Sequence, residues 1–484
     1  MPRRGGSAKI APPLWKSPLS PPAPNKPASP SRRVWQLAWP NIISNLLFTT
    51  VGFLHIKIVA QLGTSSVAAV TTGHRVFFLI QAILMGVSVA ATAMVARAWG
   101  ARDAAQAEIV SWTSITLAMA LALALSVPVL LVPEAIAGLF GLDDETTELA
   151  ARFIFWLGLF NVFTAINMML STALRAIGDV ITPLWFLLGS SILNVLLAWM
   201  LAFGAGPIPQ LGVAGVSLGG GIGGAIITLT FLIAWWRGKF SLRPVKRLAI
   251  DWGTARQLVS IGAPSVIEQG VVQSAFLAFF AIVAQYGTEP YAAYGIGISL
   301  VAFSIVIGFG FGIATATLVG QQLGAGDPEQ AVLAATRSLR MALAAMISLS
   351  VLLAWAARPL ATFMIDDPAV IDLTVVFIYM IAAAQPLMAF EFTLGGALRG
   401  AGDTRSPLLA TFCGIILGRL LPALVFYWLG LSVYWIFAVM ILDYSIKASI
   451  LIYQFRRRKW LEVKMDRDQA RSRLPVVDSD KKNT

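Results

Sequence analysis

The sequence has little charge, one cysteine and two histidines in a chain of 484 residues. Charged residues make up 12% of it, about half of the roughly 25% that is usual in soluble domains. The lone Cys413 excludes an intrachain disulfide and a cysteine-based metal cluster. It lies in an apolar run, where a small buried thiol is expected. Hydrophobic residues make up 57% of the chain and the mean hydropathy is +0.76, so the composition predicts a membrane protein.

The net charge of +12 does not indicate a nucleic-acid partner, because the basic residues gather at the two ends and in short loops between apolar runs. Residues 1–33 are rich in Pro, Ser and basic residues and contain no Asp or Glu, which predicts a disordered tail. This tail has no apolar stretch of signal-peptide length. An organellar transit peptide is the less favoured alternative for it.

Apolar runs of membrane-spanning length follow one another from about residue 35. A bilayer core needs about 20 apolar residues in a helix, and the sequence therefore predicts an all-α polytopic membrane protein with twelve transmembrane helices. The predicted spans are residues 35–60, 67–96, 109–132, 150–173, 184–204, 213–236, 258–285, 291–320, 338–357, 370–398, 408–429 and 433–455.

The loops alternate in charge as expected for twelve spans. The basic segments are the N-terminal tail, the central loop around Arg237 to Arg256, and the C-terminal tail that begins at Arg456. The intervening loops hold acidic residues, which are Glu134, Asp143, Asp144, Glu145 and Glu148, then Asp366 and Asp367. Basic loops lie on the cytoplasmic side of membranes. The sequence therefore predicts a multi-pass protein of the cell membrane with both termini in the cytoplasm.

The two halves of the chain repeat at a fixed offset of 224 residues. Residues 58–69 match residues 282–293, Pro40 matches Pro264, residues 95–107 match residues 319–331, and residues 173–183 match residues 397–407. Six spans in each half give both halves the same orientation, with the binding site between two homologous six-helix lobes. The predicted segments are an N-terminal tail (1–33), an N-lobe (34–237), a cytoplasmic linker (238–257), a C-lobe (258–458) and a basic tail (459–484).

From residue 35 to 460 the sequence resembles the multidrug and toxic compound extrusion (MATE) family. The resemblance rests on LAWP (37–40), VARAWGARD (95–103), LRAIGD with Pro183 (174–183), GAPSVIEQ (262–269), LVGQQLGAGD (318–327), LRGAGDTRSP (398–407), LDYSIKA (442–448) and RRRKW (456–460). It implies export of organic, often cationic or amphipathic, compounds in exchange for H⁺ or Na⁺ by alternating access. A flippase for lipid-linked or amphipathic substrates within the same superfamily is the alternative. A monomer in the lipid bilayer is expected.

Ionisable residues inside membrane spans are costly and are functional candidates by default. Glu268 and Glu391 are the expected ion-coupling residues, with Asp443 in reserve. A Glu268 that only packs against a neighbouring helix, and a Glu391 paired with Arg419, are the structural alternatives. Asp443 and Lys447 are four residues apart, so they lie on one helix face and a local ion pair is the favoured interpretation.

The N-lobe departs from the family pattern. Many members carry an acidic residue in the first helix where this chain has His55, and another four residues after the position of Asn194, where this chain has Ala198. His55 either titrates near neutral pH or is a neutral hydrogen-bonding residue. We assign His55 and Asn194 to the substrate cleft. The remaining predicted cleft residues are Gln269, Gln273 and Arg419.

Two matched turns complete the candidate residues. Arg175 and Asp179 in the N-lobe correspond to Arg399 and Asp403 in the C-lobe. We interpret them as structural turns that also belong to an inside gate. The spans show no paired catalytic motif, no nucleotide-binding motif and no metal-ligand motif, so neither an enzyme, a direct ATP-driven pump, a metal site nor a cofactor other than the coupling ion is predicted.

Overall fold

The computed structural model describes residues 30–204, 209–245 and 250–463. Within these ranges the chain is almost entirely helical and contains no β-strand. Twelve of the described helical segments are long and apolar enough to cross a membrane. The predicted all-α architecture with twelve transmembrane helices is confirmed. The tails at 1–29 and 464–484 lie outside the described residues, so their predicted disorder stays a prediction.

Each predicted span falls on one membrane-crossing segment, the eleventh of them made of two α-helices joined by a π-helical turn, and most segments extend a turn or more beyond the predicted bounds. The helices are α1 (Pro30–Ala60), α2 (Thr64–Gly100), α3 (Ala104–Leu131), α4 (Pro133–Gly138), α5 (Asp144–Ile177), α6 (Ile181–Phe203), α7 (Gly212–Trp236), α8 (Trp252–Ala284), α9 (Thr288–Gly324), α10 (Pro328–Trp355), α11 (Ala357–Met364), α12 (Pro368–Gly400), α13 (Arg405–Cys413), α14 (Leu421–Trp428) and α15 (Val433–Arg456). Helices α1–α7 form the N-lobe and α8–α15 the C-lobe. The short α4 and α11 lie at equivalent places in the two lobes.

Aspartate caps start several helices at equivalent positions in the two lobes. Asp103 accepts a hydrogen bond from the amide of Gln106, and Asp327 accepts one from the amide of Gln330. Asp143 accepts one from the amide of Thr146, and this bond lowers the pKa of the Asp143 carboxyl. Such caps satisfy amides that the first turn leaves without partners. The extra turns beyond the apolar runs are therefore stabilised by polar residues that hydropathy alone does not detect.

The lobes meet through glycines that are related by the 224-residue repeat. A Cβ on Gly100 of α2 would collide with the backbone carbonyl of Gln321 on α9, and a Cβ on Gly324 of α9 would collide with the carbonyl of Arg97 on α2. Membrane helices associate through such small residues because they allow close backbone approach. The two contacts are equivalent, so the helices cross on a local two-fold axis between the lobes.

A second pair of lobe contacts obeys the same symmetry. A Cβ on Gly86 of α2 would meet the carbonyl of Gly262 on α8 at 2.9 Å. The equivalent Gly310 of α9 would meet the carbonyl of Ala38 on α1 at 3.3 Å. These contacts lie toward the end of the bundle that carries the loop 101–103. The cleft between the lobes is therefore closed at that end.

At the opposite end the apolar side chains fall into separate clusters. Ile58, Val59, Val70, Phe153 and their neighbours form a buried cluster made only of N-lobe residues. The corresponding cluster of the C-lobe is built around Phe279, Tyr294, Phe377 and Phe437. Its N-lobe members lie near the closed end, at the start of α1 and at the turn before α6; they are Val34, Leu37, Ala38 and Val180. Each lobe thus has its own core at this end, and the lobes can separate there without exposing a shared core.

The eleventh span is not a continuous α-helix. Residues Gly414–Leu420 form a π-helical segment between α13 and α14. π-helical turns are rare and occur frequently at functional sites. This turn carries Arg419 and lies against α15. The π-helical turn therefore marks the position at which a charged side chain is buried inside the C-lobe.

We expect that Gly100→Ala destabilises the closed lobe contact. The added Cβ meets backbone atoms of α9, which cannot rotate away as a side chain would. Overpacking of this kind lowers the free energy of unfolding by about 1–3 kcal/mol. Denaturation of the detergent-solubilised protein measures the change. Gly224→Ala is the control, because a Cβ at Gly224 has no atom within 4 Å; equal stability of the two variants would contradict the contact.

Candidate functional site

Four charged side chains form one buried network in the C-lobe. Lys447 of α15 places its Nζ 3.4 Å from Oε1 of Glu391 on α12 and 3.3 Å from Oδ1 of Asp443. Asp443 also lies 2.5 Å from the guanidinium of Arg419. Two carboxylates and two cations balance to zero net charge, which is how buried charges in a membrane are normally tolerated.

The network corrects one expectation and confirms another. Glu391 contacts Lys447 rather than Arg419, so the proposed Glu391–Arg419 pair is wrong. The reason is that the π-helical turn at Arg419 faces α15, where Asp443 takes the guanidinium. The predicted Asp443–Lys447 ion pair is confirmed. Arg419, expected in the cleft, is a buried ion-pair partner.

Glycines make room for this network. A Cβ on Gly418 would meet the Cα of Asp443 at 2.7 Å, and a Cβ on Gly414 would meet Cγ of Lys447 at 2.5 Å. The π-helical turn and α15 therefore approach so closely that Asp443 is fully buried. Arg419 and Lys447 also lie over the ring of Tyr444, at 5.9 and 5.0 Å from its centroid. The aromatic face adds a cation–π contribution to both cations.

Glu268 forms a second charged cluster closer to the end where the lobes meet. Its Oε1 accepts a 2.6 Å hydrogen bond from Arg399 and a 2.9 Å bond from the hydroxyl of Thr411. Glu268 is 5% exposed. These bonds link α8, α12 and α13. Arg399 was predicted as part of a turn. It is also the cation that pairs with Glu268, the predicted coupling residue.

The three candidate carboxylates differ in accessibility. The side chain of Glu391 is 19% exposed, compared with 7% for Glu268 and 0% for Asp443. The Oε2 atom of Glu391 is buried and has no hydrogen-bond partner among the described residues. Glu391 therefore combines the longest ion contact of the two clusters with the most accessible side chain of the three carboxylates.

The N-lobe holds a different, uncharged polar cluster. His55 on α1 and Asn194 on α6 approach at 2.7 Å between Nε2 and Oδ1. The Nδ2 atom of Asn194 donates to the carbonyl of Gly220 on α7 at 3.3 Å. His74 on α2 stacks on His55 with ring centroids 6.0 Å apart. His74 was not among the predicted site residues, because helix contacts between α1 and α2 do not follow from sequence spacing.

The repeat shows which charges the N-lobe lacks. The residue equivalent to Glu391 is Asn167, whose Nδ2 donates to the hydroxyl of Thr228 at 3.3 Å. The residue equivalent to Glu268 is Ser44, whose hydroxyl donates to the carbonyl of Pro40 at 2.8 Å. At these two positions the N-lobe has neutral hydrogen-bonding groups, and at the positions equivalent to Arg419, Asp443 and Lys447 it has the apolar Val195, Gly219 and Gly223.

The matched turns have the structural role that we predicted. Asp179 accepts a hydrogen bond from the amide of Thr182, and Asp403 accepts bonds from the amide and hydroxyl of Ser406. Gly178 and Gly402 have φ values of 97° and 90°, which favour glycine. Near the first turn, Gln321 of α9 donates to the carbonyl of Ala176 at 2.9 Å across the lobes. The turn of Arg175 thus lies at the lobe contact, while its part in a gate stays a prediction.

The two remaining predicted cleft residues are Gln269 and Gln273. Both lie half-buried on α8, one turn apart. Nothing in the geometry assigns them a ligand. Among the described residues no group of three or more His, Cys, Asp and Glu side chains is placed to hold a metal ion.

Comparison with known proteins places this architecture among transporters. The MatE family profile matches residues 40–200 and again residues 264–424, the same 224-residue offset. The chain is 27% identical to a probable multidrug resistance protein NorM of Thermotoga maritima over 88% of this chain and 92% of that protein. It is 25% identical to an FAD transporter of Shewanella oneidensis over 80% of this chain and 86% of that protein. A MOP superfamily transporter from Pyrococcus furiosus has the same fold, with a TM-score of 0.83 at 19% identity over 90% of this chain and 98% of that chain.

We expect that Asp443→Asn strongly destabilises the C-lobe, because Arg419 and Lys447 both lose a buried counter-charge. Removing one partner of a buried ion pair costs about 3–5 kcal/mol. Unfolding of the detergent-solubilised protein measures the loss. The double variant Asp443→Asn with Arg419→Gln should lose less than the sum of the single losses. Strictly additive losses would show that the two side chains are not coupled.

Proposed function

Since this chain belongs to the MatE (multidrug and toxic compound extrusion) family, we propose that it is an ion-coupled antiporter that exports organic compounds, often cationic or amphipathic. It is a multi-pass membrane transporter of the multidrug efflux kind. The proposed exchange uses H⁺ or Na⁺ and alternating access between the two lobes. The observation that carries this proposal is the Glu391 carboxylate, with a free oxygen beside a cation that it shares with Asp443.

The proposed coupling is competition for one carboxylate. In the ion-free state Lys447 lies between Glu391 and Asp443, and Arg419 supplies the second positive charge that balances the two carboxylates. An H⁺ or Na⁺ that binds Glu391 leaves Lys447 with Asp443 alone. A cationic substrate near Glu391 has the same effect on the local charge. The ion-free network has zero net charge, so one bound cation raises it to +1 and two would raise it to +2; repulsion in this buried site opposes the second cation, and the two therefore exclude each other. Such exclusion is the basis of exchange.

The direction of transport follows from the proposed orientation. The closed end of the cleft carries Arg33, Arg97 and Arg102, and basic residues favour the cytoplasmic side. The structure would then be closed to the cytoplasm, with the separate cores of the lobes on the outer side. An ion entering from outside reaches Glu391 in this state. Reopening at the Gly100 and Gly324 contacts would admit substrate from the cytoplasm.

The distribution of cations argues against a flippase for lipid-linked pyrophosphates. Such a substrate needs several free cations in the cleft. Lys57 is exposed on α1, Arg97 donates to the backbone carbonyl of Val463 at 2.8 Å, and Arg419 is paired with Asp443. These cations lie on separate helices and do not form one anion site. The efflux function is therefore the better supported of the two.

We expect that Glu391→Gln abolishes ion-driven efflux, because an amide takes up no proton in this pH range and has no negative charge to attract a sodium ion. Efflux of an organic cation from proteoliposomes under separately imposed proton and sodium gradients measures the effect, and the wild-type protein identifies the coupling ion. Glu148→Gln is the matched control, since Glu148 is exposed and pairs only with Arg152 four residues away. Undiminished gradient-driven efflux by the Glu391 variant would remove the proposed role.

Glu268→Gln should act differently. The change removes the counter-charge of Arg399, which then stays partly buried with a neutral partner. We expect slower transport with either gradient, with the ion dependence of the remaining transport retained. A thermal unfolding temperature reduced by several degrees should accompany this loss. A variant that keeps normal stability and loses only its response to the ion would instead identify Glu268 as the coupling group.

A further inference from the structure

Residues 457–463, which we call the C-terminal strap, fold back onto the bundle after the last span. Arg458 has a φ of 58°, a left-handed conformation that is typical of helix ends, and it pairs with Glu329 on α10 at 2.7 Å. Trp460 is 1% exposed within a cluster of C-lobe residues. Its Nε1 donates to the carbonyl of Phe455 at 3.0 Å, and the two rings stack with centroids 5.1 Å apart. The strap is therefore fixed to the C-lobe.

The far end of the strap contacts the other lobe. Nη1 of Arg97 on α2 donates to the carbonyl of Val463 at 2.8 Å. The backbone carbonyl of Arg97 lies against Gly324 of α9, in the contact that closes this end of the cleft. Arg97 thus touches the C-lobe at two points, with its backbone at α9 and with its side chain at the strap. The hydrogen bond to Val463 crosses the lobe boundary at the closed end.

The repeat shows that the two sides of this lobe contact differ. The residue equivalent to Arg97 is Gln321, which donates to the carbonyl of Ala176 at the end of α5. Each of the two crossing helices therefore sends a donor across the lobe boundary. Gln321 bonds the helical framework, whereas Arg97 bonds the strap. Arginine is the longer of the two side chains and carries a permanent positive charge, so the bond to the strap is charge-assisted.

The last span of the N-lobe is followed by a similar turn that packs on its own lobe. Gly238 has a φ of 66°, and Phe240, two residues later, packs edge-on against Phe231 with centroids 5.5 Å apart. The amide of Arg243 donates to Oε1 of Glu108 on α3 at 3.2 Å. Phe240 thus anchors this turn to the lobe from which it comes. In the C-lobe the chain instead continues from its aromatic anchor to the opposite lobe.

We propose that the C-terminal strap is a latch that stabilises the state in which this end of the cleft is closed. Trp460 moves with the C-lobe and Arg97 moves with α2, so separation of α2 from α9 breaks the bond between Arg97 and Val463. This proposal rests on the alternating access of the proposed function. A bond that is present in one state alone shifts the equilibrium toward that state. A hydrogen bond to a charged group is strong enough to change such an equilibrium about tenfold.

Spin-label distances across the closed end test the latch. Labels are attached at two exposed positions, through Ala105→Cys in the N-lobe and Gln330→Cys in the C-lobe, in a Cys413→Ser background that lacks the only native cysteine. The protein is reconstituted in lipid nanodiscs without substrate or ion gradient. We expect that Arg97→Gln raises the ratio of open to closed distances about tenfold. Arg102→Gln is the matched control, because it removes an exposed charge from the same end, and it should leave the ratio unchanged.

Shortening the chain removes the acceptor of this bond without removing the anchor. A chain that ends at Leu461 keeps Trp460 and lacks Val463, and it should show the same shift as Arg97→Gln. A chain that ends at Ala470 keeps the whole strap and should behave as the full chain does. Arg97→Gln in the chain that ends at Leu461 should shift the ratio no further, because both changes remove one bond. Additive shifts, or an unchanged ratio in both single changes, would overturn the latch.

The same labels separate the latch from the coupling mechanism. The distances are measured at equilibrium without substrate, so they do not depend on which carboxylate binds the ion. Glu391→Gln should lose gradient-driven efflux, while Arg97→Gln should still shift the distances when it is introduced into that variant. An incorrect coupling residue would change the first result and leave the second, whereas an incorrect latch would change only the second.

Discussion

Backbone contact between α2 and α9 determines how the rest of the molecule is arranged. In a bilayer the lipid tails are as apolar as the side chains, so helices are held by close packing rather than by the hydrophobic effect. Gly100 and Gly324 allow each helix to rest on a carbonyl of the other. Because the two contacts are equivalent under the repeat, they define the axis between the lobes. While these contacts are in place, the cleft can widen only at the far end, where each lobe has its own core.

On this symmetric framework the two lobes have diverged in their chemistry. The C-lobe has Gly418 and Asp443 where the N-lobe has Asn194 and Gly219, and Gly418 makes room for Asp443. The small and the polar residue have exchanged sides of the helix contact. The exchange leaves a fully buried carboxylate in one lobe and an amide in the other, which allows balanced ion pairs in the C-lobe and neutral hydrogen bonds in the N-lobe.

The sequence was sufficient for the features that depend on local pattern. Hydropathy gave the twelve spans, the 224-residue offset gave the two lobes, and glycine with aspartate gave the matched turns at Gly178 and Gly402. It could not give the partners of buried charges, because these depend on helix rotation and on the π-helical turn. Arg419 and Lys447 were both available to Glu391 by sequence, and only the direction of that turn decides between them. His74 was missed for the same reason.

The internal balance of charge limits how coupling can work. A lone carboxylate in the membrane would itself oppose reorientation of the empty protein, because an unpaired charge there is costly. Here Lys447 already neutralises Glu391. The cost of an unpaired charge therefore cannot be what prevents the ion-free protein from changing between its conformations. In the proposed mechanism, coupling instead depends on whether Lys447 pairs with both Glu391 and Asp443 or with Asp443 alone. In the proposed mechanism, an ion or substrate that binds Glu391 leaves Lys447 paired with Asp443 alone, and since Asp443 touches the π-helical turn, this would change the packing of α15 against the eleventh span.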